Sequence, residues 1–326
     1  MILKEKILIS MRGALGDTLC LTGCLEDFRA IHPEAHIAVF SLYPDLFRHN
    51  PYVDEIASEP SWSQTPSVVR DMLNRAPWLK AVASKLKYKL LHARGGTNQV
   101  LEIDWEFMYH NRAMHLQDTI RLQLGIPAED KRQNPELFLT GKEIRETIQK
   151  FSLELNKPFV AFSTDAGWQS RQWPESHWNQ LIDRLVASGH LLVRLGRDNE
   201  RSISQKVAGN YLDLTNMTSV RETAVLVQAA SLLLSVDSGM FHVAAAVNTE
   251  AIGLFGPVNP ELRIYSYNSR GLISTTTDCV ACSTTQDLRG VDEHCPTVTF
   301  ECMSTINVDA VYTECKKYIE RPKLSC

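Results

Sequence analysis

The 326-residue sequence contains no hydrophobic run long enough for a membrane-spanning helix. Its longest uncharged run, residues 223–236, falls short of the roughly 20 apolar residues that such a helix needs. The apolar stretch at residues 7–9 is too short for the core of a signal peptide. These absences predict a cytoplasmic protein that is at most peripheral to the inner membrane.

The chain also lacks a net positive charge and is poor in aromatic residues. Its formal net charge is -4, and aromatic side chains make up 8% of the residues. Nucleic-acid-binding proteins usually combine clustered positive charge with aromatic side chains that stack on bases. The composition therefore argues against nucleic acid as a partner. With 22% charged and 44% hydrophobic residues it is otherwise ordinary, and the length suggests two domains.

One segment departs from this charge balance. Between residues 69 and 94 the only acidic residue is Asp71, while apolar residues keep an approximately helical spacing. This pattern favours a basic amphipathic helix. It is explained by a solvated helix face, by a surface for an anionic glycan or lipid acceptor, or by contact with an anionic membrane surface, near which each basic residue contributes about 1 kcal/mol. The basic residues considered for that surface are Arg75, Lys80, Lys85, Lys87 and Lys89.

Strand-like apolar runs alternate with helix-length stretches along the chain. Strands are predicted at residues 6–11, 36–42, 53–57, 100–105, 159–163, 191–195, 232–236 and 251–255, and one helix is predicted from the first turn to about residue 31. Such alternation is typical of parallel, doubly wound sheets. A charged helix predicted over residues 141–155 ends at Asn156-Lys157-Pro158. We therefore predict an N-terminal domain at residues 1–154 and a C-terminal domain at residues 155–326.

Residues 232–255 are the most informative stretch. A strand-like run is followed by Asp237, Ser238 and Gly239, and then by a small apolar segment of helical length. Such a turn offers a carboxylate, a hydroxyl and backbone N–H groups at a helix N-terminus, which suits the ribose and diphosphate of a nucleotide. His242, about one helical turn further, is predicted to reach the same ligand. The alternative is an ordinary turn in which Asp237 and Ser238 only cap the helix.

A second glycine-containing turn follows the first strand. Residues 12–17 read Arg-Gly-Ala-Leu-Gly-Asp, a G-x-x-G-D pattern that differs from the dinucleotide fingerprint G-x-G-x-x-G. Gly13 and Gly16 allow a ligand to approach the backbone closely, and Asp17 lies at the start of the helix. From these residues alone, a helix cap is the simplest explanation of Asp17.

Three segments together resemble glycosyltransferase family 9, the ADP-heptose heptosyltransferases of lipopolysaccharide assembly. They are D-S-G-M-F-H-V-A-A-A-V at residues 237–247 with G-L-F-G-P at 253–257, the Gly-Asp turn at residues 16–17, and S-R-Q-W-P-E-S-H-W at residues 170–178. The resemblance implies a GT-B fold, in which two Rossmann-like doubly wound parallel-sheet domains face a cleft. It further implies that the N-terminal domain serves the acceptor and the C-terminal domain binds the nucleotide sugar.

The resemblance also implies roles for single residues. Asp17 would be the catalytic base, and Arg171 would take the place of a family lysine that contacts the donor phosphates, with a planar guanidinium instead of a point charge. The donor would be held by Gly13, Gly16, Glu222, Asp237, Ser238, Gly239 and His242. Arg221 adjoins Glu222, so the register of that acidic residue stays open by one position.

These roles predict an inverting transfer of a heptose-like sugar from a nucleotide donor, ADP-heptose in the family, to a lipopolysaccharide-core or related glycan, without a catalytic cofactor. Because a helix N-terminus stabilises negative charge, we expect it to lower the pKa of Asp17. Alternatives within enzymes are transfer of another sugar, transfer to protein, and nucleotide-sugar epimerisation. A non-enzymatic alternative is a nucleotide-sugar-binding protein without catalysis.

The cysteines suggest a separate structural site. Four of the eight form C-x2-C-x12-C-x6-C at Cys279, Cys282, Cys295 and Cys302. In a chain without a predicted signal peptide, this spacing favours a tetrahedral metal site over a set of disulfides. We predict a structural zinc or iron, with His294 as an alternative ligand. Unpaired thiols remain the other explanation.

Overall fold

The computed structural model describes residues 5–57, 99–127, 133–154, 157–197, 210–265, 269–284, 295 and 298–319. The basic segment of residues 69–94, with Arg75, Lys80, Lys85, Lys87 and Lys89, lies outside the described residues, and so does His294. Within the described ranges, no helix is both long and apolar enough to cross a membrane.

Strands and helices alternate along the chain. The strands are β1 Lys6–Met11, β2 His36–Ser41, β3 Glu55–Ala57, β4 Gln99–Ile103, β5 Phe159–Ser163, β6 Leu191–Arg194, β7 Tyr211–Asp213, β8 Leu232–Val236, β9 Ala251–Leu254 and β10 Ser269–Leu272. The helices are α1 Leu15–Thr22, α2 Leu25–Ile31, α3 Trp105–His110, α4 Leu116–Gln123, α5 Gly141–Lys150, α6 Glu175–Ala187, α7 Val220–Ala229, α8 Gly239–Ala246, α9 Glu301–Ser304 and α10 Val308–Ile319. Short 3-10 helices occupy Pro44–Phe47, Gln169–Arg171, Pro260–Leu262 and Cys282–Thr284.

The strands form two separate parallel sheets. The first has four strands in the order β3-β2-β1-β4, and the second has six in the order β10-β9-β8-β5-β6-β7. β1 lies between β2 and β4, and β8 between β5 and β9, all in parallel register. β5 and β8 are buried along their whole length, as expected for strands covered by helices on both faces. The predicted pair of parallel-sheet α/β domains is confirmed.

The structure differs from the sequence-based expectation in the first helix. The predicted single helix is divided into α1 and α2 at Gly23 and Cys24. A Cβ added at Gly23 would lie 2.4 Å from Nε2 of Gln117 and 2.7 Å from the carbonyl oxygen of Asn134. The chain therefore needs a glycine at this close approach, which local helical propensity does not reveal. Strands β7 and β10 and helix α10 were also not predicted.

Helices α1 and α8 pack against each other and join the two sheets. A Cβ added at Gly239 would lie 3.1 Å from Cβ of Leu15, so the start of α8 contacts the start of α1 closely. One buried apolar cluster runs from Ile7 and Ile9 in the first sheet to Phe241 and Phe255 in the second domain. This contact places the turns that precede the two helices side by side.

Candidate active site between the two domains

A cavity of about 350 Å³ opens between the turns that precede α1 and α8. Its lining combines the predicted site residues with others from both domains: Ala14, Gly16, Asp17, Met108, Arg112, Met114, Leu116, Thr119, Gly167, Trp168, Arg171, Asp237, Ser238, Gly239, His242 and Arg263. The structure therefore brings Asp17, Arg171, Asp237, Ser238, Gly239 and His242 to one place.

Asp17 is held in the first turn of α1. Its Oδ2 accepts a hydrogen bond from the backbone N–H of Ala14 at 2.9 Å, so it serves the helix start as a local analysis expects. A Cβ at Gly13 would lie 2.6 Å from Cβ of Asp17, which explains the need for glycine there although Gly13 does not line the cavity. The same carboxylate caps the helix and reaches the cavity.

The environment of Asp17 corrects the expectation for its pKa. Burial raises the pKa of this carboxyl above its ordinary value, and it outweighs the lowering by the Ala14 N–H, Arg263 and Arg171. The side chain is nonetheless partly accessible through the cavity. A helix N-terminus does favour the carboxylate, but removal from water dominates here. The shift makes Asp17 a stronger base than a solvated aspartate.

The opposite wall is the turn between β8 and α8. Ser238 occupies the position before the helix and its Oγ accepts from the backbone N–H of Met240 at 3.4 Å, a long bond at the limit of useful geometry. Gly239, the first helical residue, lies so near Gly16 that a Cβ on Gly16 would be 3.6 Å from its Cα. The N-terminus of α8 therefore borders the cavity, where its dipole favours an anion.

Arg171 and Asp237 form an ion pair beside this helix N-terminus. Nη1 of Arg171 lies 3.3 Å from Oδ2 of Asp237, which is 3% exposed. Among the described residues that oxygen has no well-aligned hydrogen bond. The two side chains therefore interact through their charges and do not form the bidentate hydrogen bonds typical of arginine and a carboxylate. The guanidinium also stacks over the Trp168 ring at 4.1 Å from the ring centre. Stacking and pairing together fix a planar cation at the cavity wall.

His242 lines the cavity and is a neutral imidazole. Burial lowers its pKa to about 4, with a further lowering by Arg263, so it carries no charge near neutral pH. A Cβ on Gly16 would lie 2.8 Å from Cδ2 and 3.3 Å from Nε2 of His242. Glycine at position 16 is thus required for α1 to accommodate the imidazole edge.

Two arginines of the cavity were not predicted from the sequence. Arg263 follows the short helix Pro260–Leu262 and is the cation with the largest electrostatic effect on both Asp17 and His242. Arg112 follows α3 in the N-terminal domain. Neither belongs to a periodic pattern or a glycine-rich turn, so only the fold reveals their position. The sequence offered no signal beyond their charge.

Glu222 does not line this cavity. It lies in the first turn of α7, where its Oε2 accepts from the backbone N–H of Ser219 at 2.8 Å and its Oε1 pairs with Lys150 at 2.6 Å. The adjoining Arg221 donates to Glu143 at 2.6 Å and to the carbonyl of Asp45 at 3.0 Å, which links the two domains. Both side chains are thus in structural contacts outside this cavity, and the role of Glu222 at the nucleoside stays a prediction.

The four clustered cysteines lie in the C-terminal domain. Burial raises the pKa of Cys302 to about 12, and the neighbouring thiols of Cys282, Cys279 and Cys295 add to the shift. Among the described residues, however, no group of three or more histidine, cysteine or acidic side chains has the arrangement of a metal site. The predicted metal is not shown by the structure.

Comparison with known proteins identifies the class and then the family. The two parallel-sheet domains and the cavity between their turns define a two-domain GT-B protein. The model of glycosyltransferase family 9 (heptosyltransferase) matches residues 93–290. This chain belongs to glycosyltransferase family 9.

Individual relatives agree with this assignment. Lipopolysaccharide heptosyltransferase 2 of Escherichia coli strain K12 is 29% identical over 136 residues, and the chain spans 39% of the length of that relative. The structure of a family 9 glycosyltransferase from Veillonella parvula superposes with a TM-score of 0.71 at 16% identity over 98% of each chain. That of the Escherichia coli heptosyltransferase WaaC with ADP gives 0.65 at 15% identity over 96% of this chain and 99% of the other. These two show the fold alone.

Proposed function

We propose that this protein is a heptosyltransferase that moves a heptose-like sugar from ADP-heptose to a hydroxyl of a lipopolysaccharide-core or related glycan. One observation supports it above the others. A partly accessible carboxylate from one domain and an anion-favouring helix N-terminus from the other line the same cavity. Sugar transfer from a nucleotide needs this combination of a base and a leaving-group site.

In the proposed reaction the acceptor hydroxyl oxygen attacks the anomeric carbon of the donor. The new glycosidic bond forms as the bond between that carbon and the diphosphate oxygen breaks. Asp17 takes the proton of the hydroxyl, and the bonding electrons leave with the diphosphate. Because the proposed base and the proposed leaving-group site belong to different domains, we propose that attack occurs on the face away from the diphosphate. The configuration at the anomeric carbon is therefore inverted.

The departing diphosphate gains negative charge that the C-terminal wall is built to stabilise. The residues at the N-terminus of α8, Arg171 and Arg263 all border the cavity. Removing one such preorganised donor from an active site typically costs about 10²-fold to 10³-fold in turnover. No cofactor is required in this scheme, since protein groups supply all of the stabilising charge. We assign residues 1–154 to acceptor binding and residues 155–326 to donor binding.

The experiment is a donor panel with product analysis. Thermal stabilisation by ADP-heptose is compared with that by UDP-, GDP- and other ADP-sugars, and product is then measured with and without a lipopolysaccharide-core acceptor. We expect selective stabilisation by ADP-heptose and a new, inverted glycosidic product only with the acceptor. Isomerised donor without an acceptor would instead indicate an epimerase. Binding without any product would indicate a non-catalytic protein, and product on a polypeptide a protein heptosyltransferase.

We also propose that the basic residues Arg75, Lys80, Lys85, Lys87 and Lys89 serve an anionic acceptor or the surface that carries it. The support is their positive charge, in a segment whose apolar residues keep an approximately helical spacing. Cosedimentation with vesicles of phosphatidylcholine alone and with added phosphatidylglycerol tests the proposal. Binding that needs the anionic lipid and is lost on replacing the five residues by glutamine supports it. Equal sedimentation with both vesicles contradicts it.

A structural zinc or iron held by Cys279, Cys282, Cys295 and Cys302 is a further proposal. Four soft thiol donors match the ligand preference of either metal. Elemental analysis of the purified protein should find about one metal per chain, and less in the double variant Cys279→Ala, Cys282→Ala. We expect that variant to lose thermal stability while keeping its affinity for ADP, since the cysteines do not line the cavity. Metal-free protein of unchanged stability would contradict the proposal.

A further inference from the structure

A three-residue polar cluster lies beneath the cavity and involves both domains. Cys20 of α1, His242 of α8 and Tyr265, which follows Pro260–Leu262, meet there. The hydroxyl of Tyr265 lies 3.0 Å from Nδ1 of His242, and Sγ of Cys20 lies 3.8 Å from the same nitrogen. The sulfur and the phenolic oxygen are also in direct contact. No step of the proposed reaction uses Cys20 or Tyr265.

All three groups are neutral near pH 7, so each keeps its own hydrogen. Burial raises the pKa of the Cys20 thiol to about 12 and raises that of Tyr265 well above its ordinary value. The neutral imidazole of His242 carries one hydrogen, on either Nδ1 or Nε2. The hydrogen bonds of the cluster decide which nitrogen carries it.

Two arrangements of the hydrogens are consistent with the distances. In one, the Cys20 thiol donates to the Tyr265 oxygen, and the Tyr265 hydroxyl donates to Nδ1 of His242. In the other, Nδ1–H donates to the Tyr265 oxygen and the hydroxyl donates to the sulfur. The first gives the phenol the stronger acceptor, because an imidazole nitrogen accepts better than a sulfur. It is favoured on those grounds, and it leaves the hydrogen of His242 on Nε2.

Tyr265 is held in place by the N-terminal domain. The His115 ring lies edge-on to the Tyr265 ring, with the centres 4.9 Å apart. Nε2 of His115 lies 3.1 Å from the carbonyl oxygen of Ile264, so it must donate, while Nδ1 accepts from the backbone N–H of Gln117. The phenol is therefore oriented by contacts that do not depend on a bound ligand.

The opposite edge of His242 is directed toward the cavity. His242 lines the cavity, and its Nε2 edge passes over Gly16, another lining residue. A diphosphate offers only hydrogen-bond acceptors, so it requires a donor at this nitrogen. We infer that Tyr265 is a positioning residue that holds His242 in the tautomer with its hydrogen on Nε2, directed at the donor phosphates. The tautomer is a property of the protein itself, while its use for phosphate rests on the proposed function.

Nitrogen-15 NMR of histidine-labelled protein at neutral pH tests the tautomer directly. We expect an unprotonated Nδ1 and a protonated Nε2 for His242, assigned with a His242→Gln variant. In Tyr265→Phe we expect the two nitrogen shifts of His242 to move toward each other as both tautomers become populated. A protonated Nδ1 in the original protein, or unchanged shifts in Tyr265→Phe, would overturn the inference.

Tyr312→Phe is the matched control. Its hydroxyl contacts Ser188 Oγ at 2.8 Å, outside the cavity, so the same atom is removed without touching His242. With ADP as the probe, we expect Tyr265→Phe to weaken binding about threefold to tenfold and Tyr312→Phe to leave it unchanged. Equal loss in both variants would overturn the positioning role. Failure of ADP to bind the original protein would contradict the proposed function, while the NMR result would still decide the tautomer.

Discussion

The turns after β1 and β8 have the same construction but hold their aspartates differently. Each follows a buried strand, contains a glycine and leads into an eight-residue helix. Asp17 lies inside the first turn of its helix, accepts a backbone hydrogen bond and has a raised pKa. Asp237 lies at the strand end and is paired with Arg171. In the proposed reaction the first carboxylate accepts a proton, while the second holds a cation in the structure.

This difference shows that two similar turns in one fold can hold an aspartate in different electrostatic environments. Both turns place an aspartate near a helix N-terminus, which by itself would favour the ionised form in each case. The position of the cations separates them, because Arg171 contacts Asp237, whereas Asp17 is affected more by burial than by any single charge. The catalytic assignment of Asp17 therefore rests on its surroundings more than on its motif.

The largest effect is expected for Asp17→Asn. Asparagine keeps the oxygen that accepts from the Ala14 N–H but cannot take a proton. We expect sugar transfer to fall by roughly 10²-fold or more, on the scale of general-base removal, while ADP affinity is retained. Single-turnover kinetics and calorimetry measure the two quantities. The matched variant Asp237→Asn should instead weaken ADP binding. Near-normal sugar transfer by Asp17→Asn would contradict the proposed role of Asp17.

A smaller loss of sugar transfer is expected for Arg171→Ala. Turnover should fall by roughly 10²-fold, because a cation at the leaving group is removed. Stability should also fall, by about 3–5 kcal/mol at most, because Asp237 is left buried without its partner. Urea unfolding of Arg171→Ala and of the double variant Arg171→Ala, Asp237→Asn separates the effects. The double variant should recover stability without recovering turnover; recovery of both would show that Arg171 acts only through folding.

Gly16→Ala is expected to disturb the contact between the two turns. The added methyl would meet the buried His242 ring at 2.8 Å, so the ring or α1 must move. Overpacking of this kind typically costs about 1–3 kcal/mol. The unfolding temperature and the affinity for ADP should both fall. Gly167→Ala is the control, since Gly167 also lines the cavity and an added Cβ there meets nothing within 4 Å.

The smallest effect concerns the pH dependence of transfer. Below the pKa of Asp17 the base is protonated, so kcat/KM should fall on the acid side at a pH above the ordinary aspartate value of 3.8. Removing the Arg263 charge by Arg263→Gln removes an effect that lowers this pKa, so the acid limb should move to higher pH. An acid limb that moves to lower pH, or remains in Asp17→Asn, would assign it to another group.

The raised pKa of Asp17 also has a consequence for stability. A carboxyl whose pKa is higher in the folded than in the unfolded protein favours folding at low pH, and this contribution is lost as the pH rises through the folded value. At neutral pH the ionised Asp17 is therefore a cost to folding. The Asp17→Asn variant should therefore unfold at a slightly higher temperature than the original protein at pH 7. Replacing an active-site residue often stabilises a protein in this way, whereas replacing a residue that only caps a helix destabilises it.

The sequence alone predicts eight of the ten described strands and both turns, because these depend on neighbouring residues. The buried strands β5 and β8 appear as short apolar runs, and Asp237 follows the second of them directly. Arg263 and Tyr265 escape prediction because they lie in an irregular segment that only tertiary packing brings under the cavity. For Glu222 the motif register predicts a nucleoside contact, and only the structure shows that its carboxylate caps α7 and pairs with Lys150.

A crystal structure of the protein with a nonreactive ADP-heptose analogue tests the central claim most directly. We predict that the diphosphate lies at the N-terminus of α8, between Arg171 and Nε2 of His242, with the anomeric carbon facing Asp17. A nucleotide bound elsewhere, such as the charged pocket beside Lys150 and Glu222, would contradict the account. The two turns would then line one cavity without taking part in the same reaction.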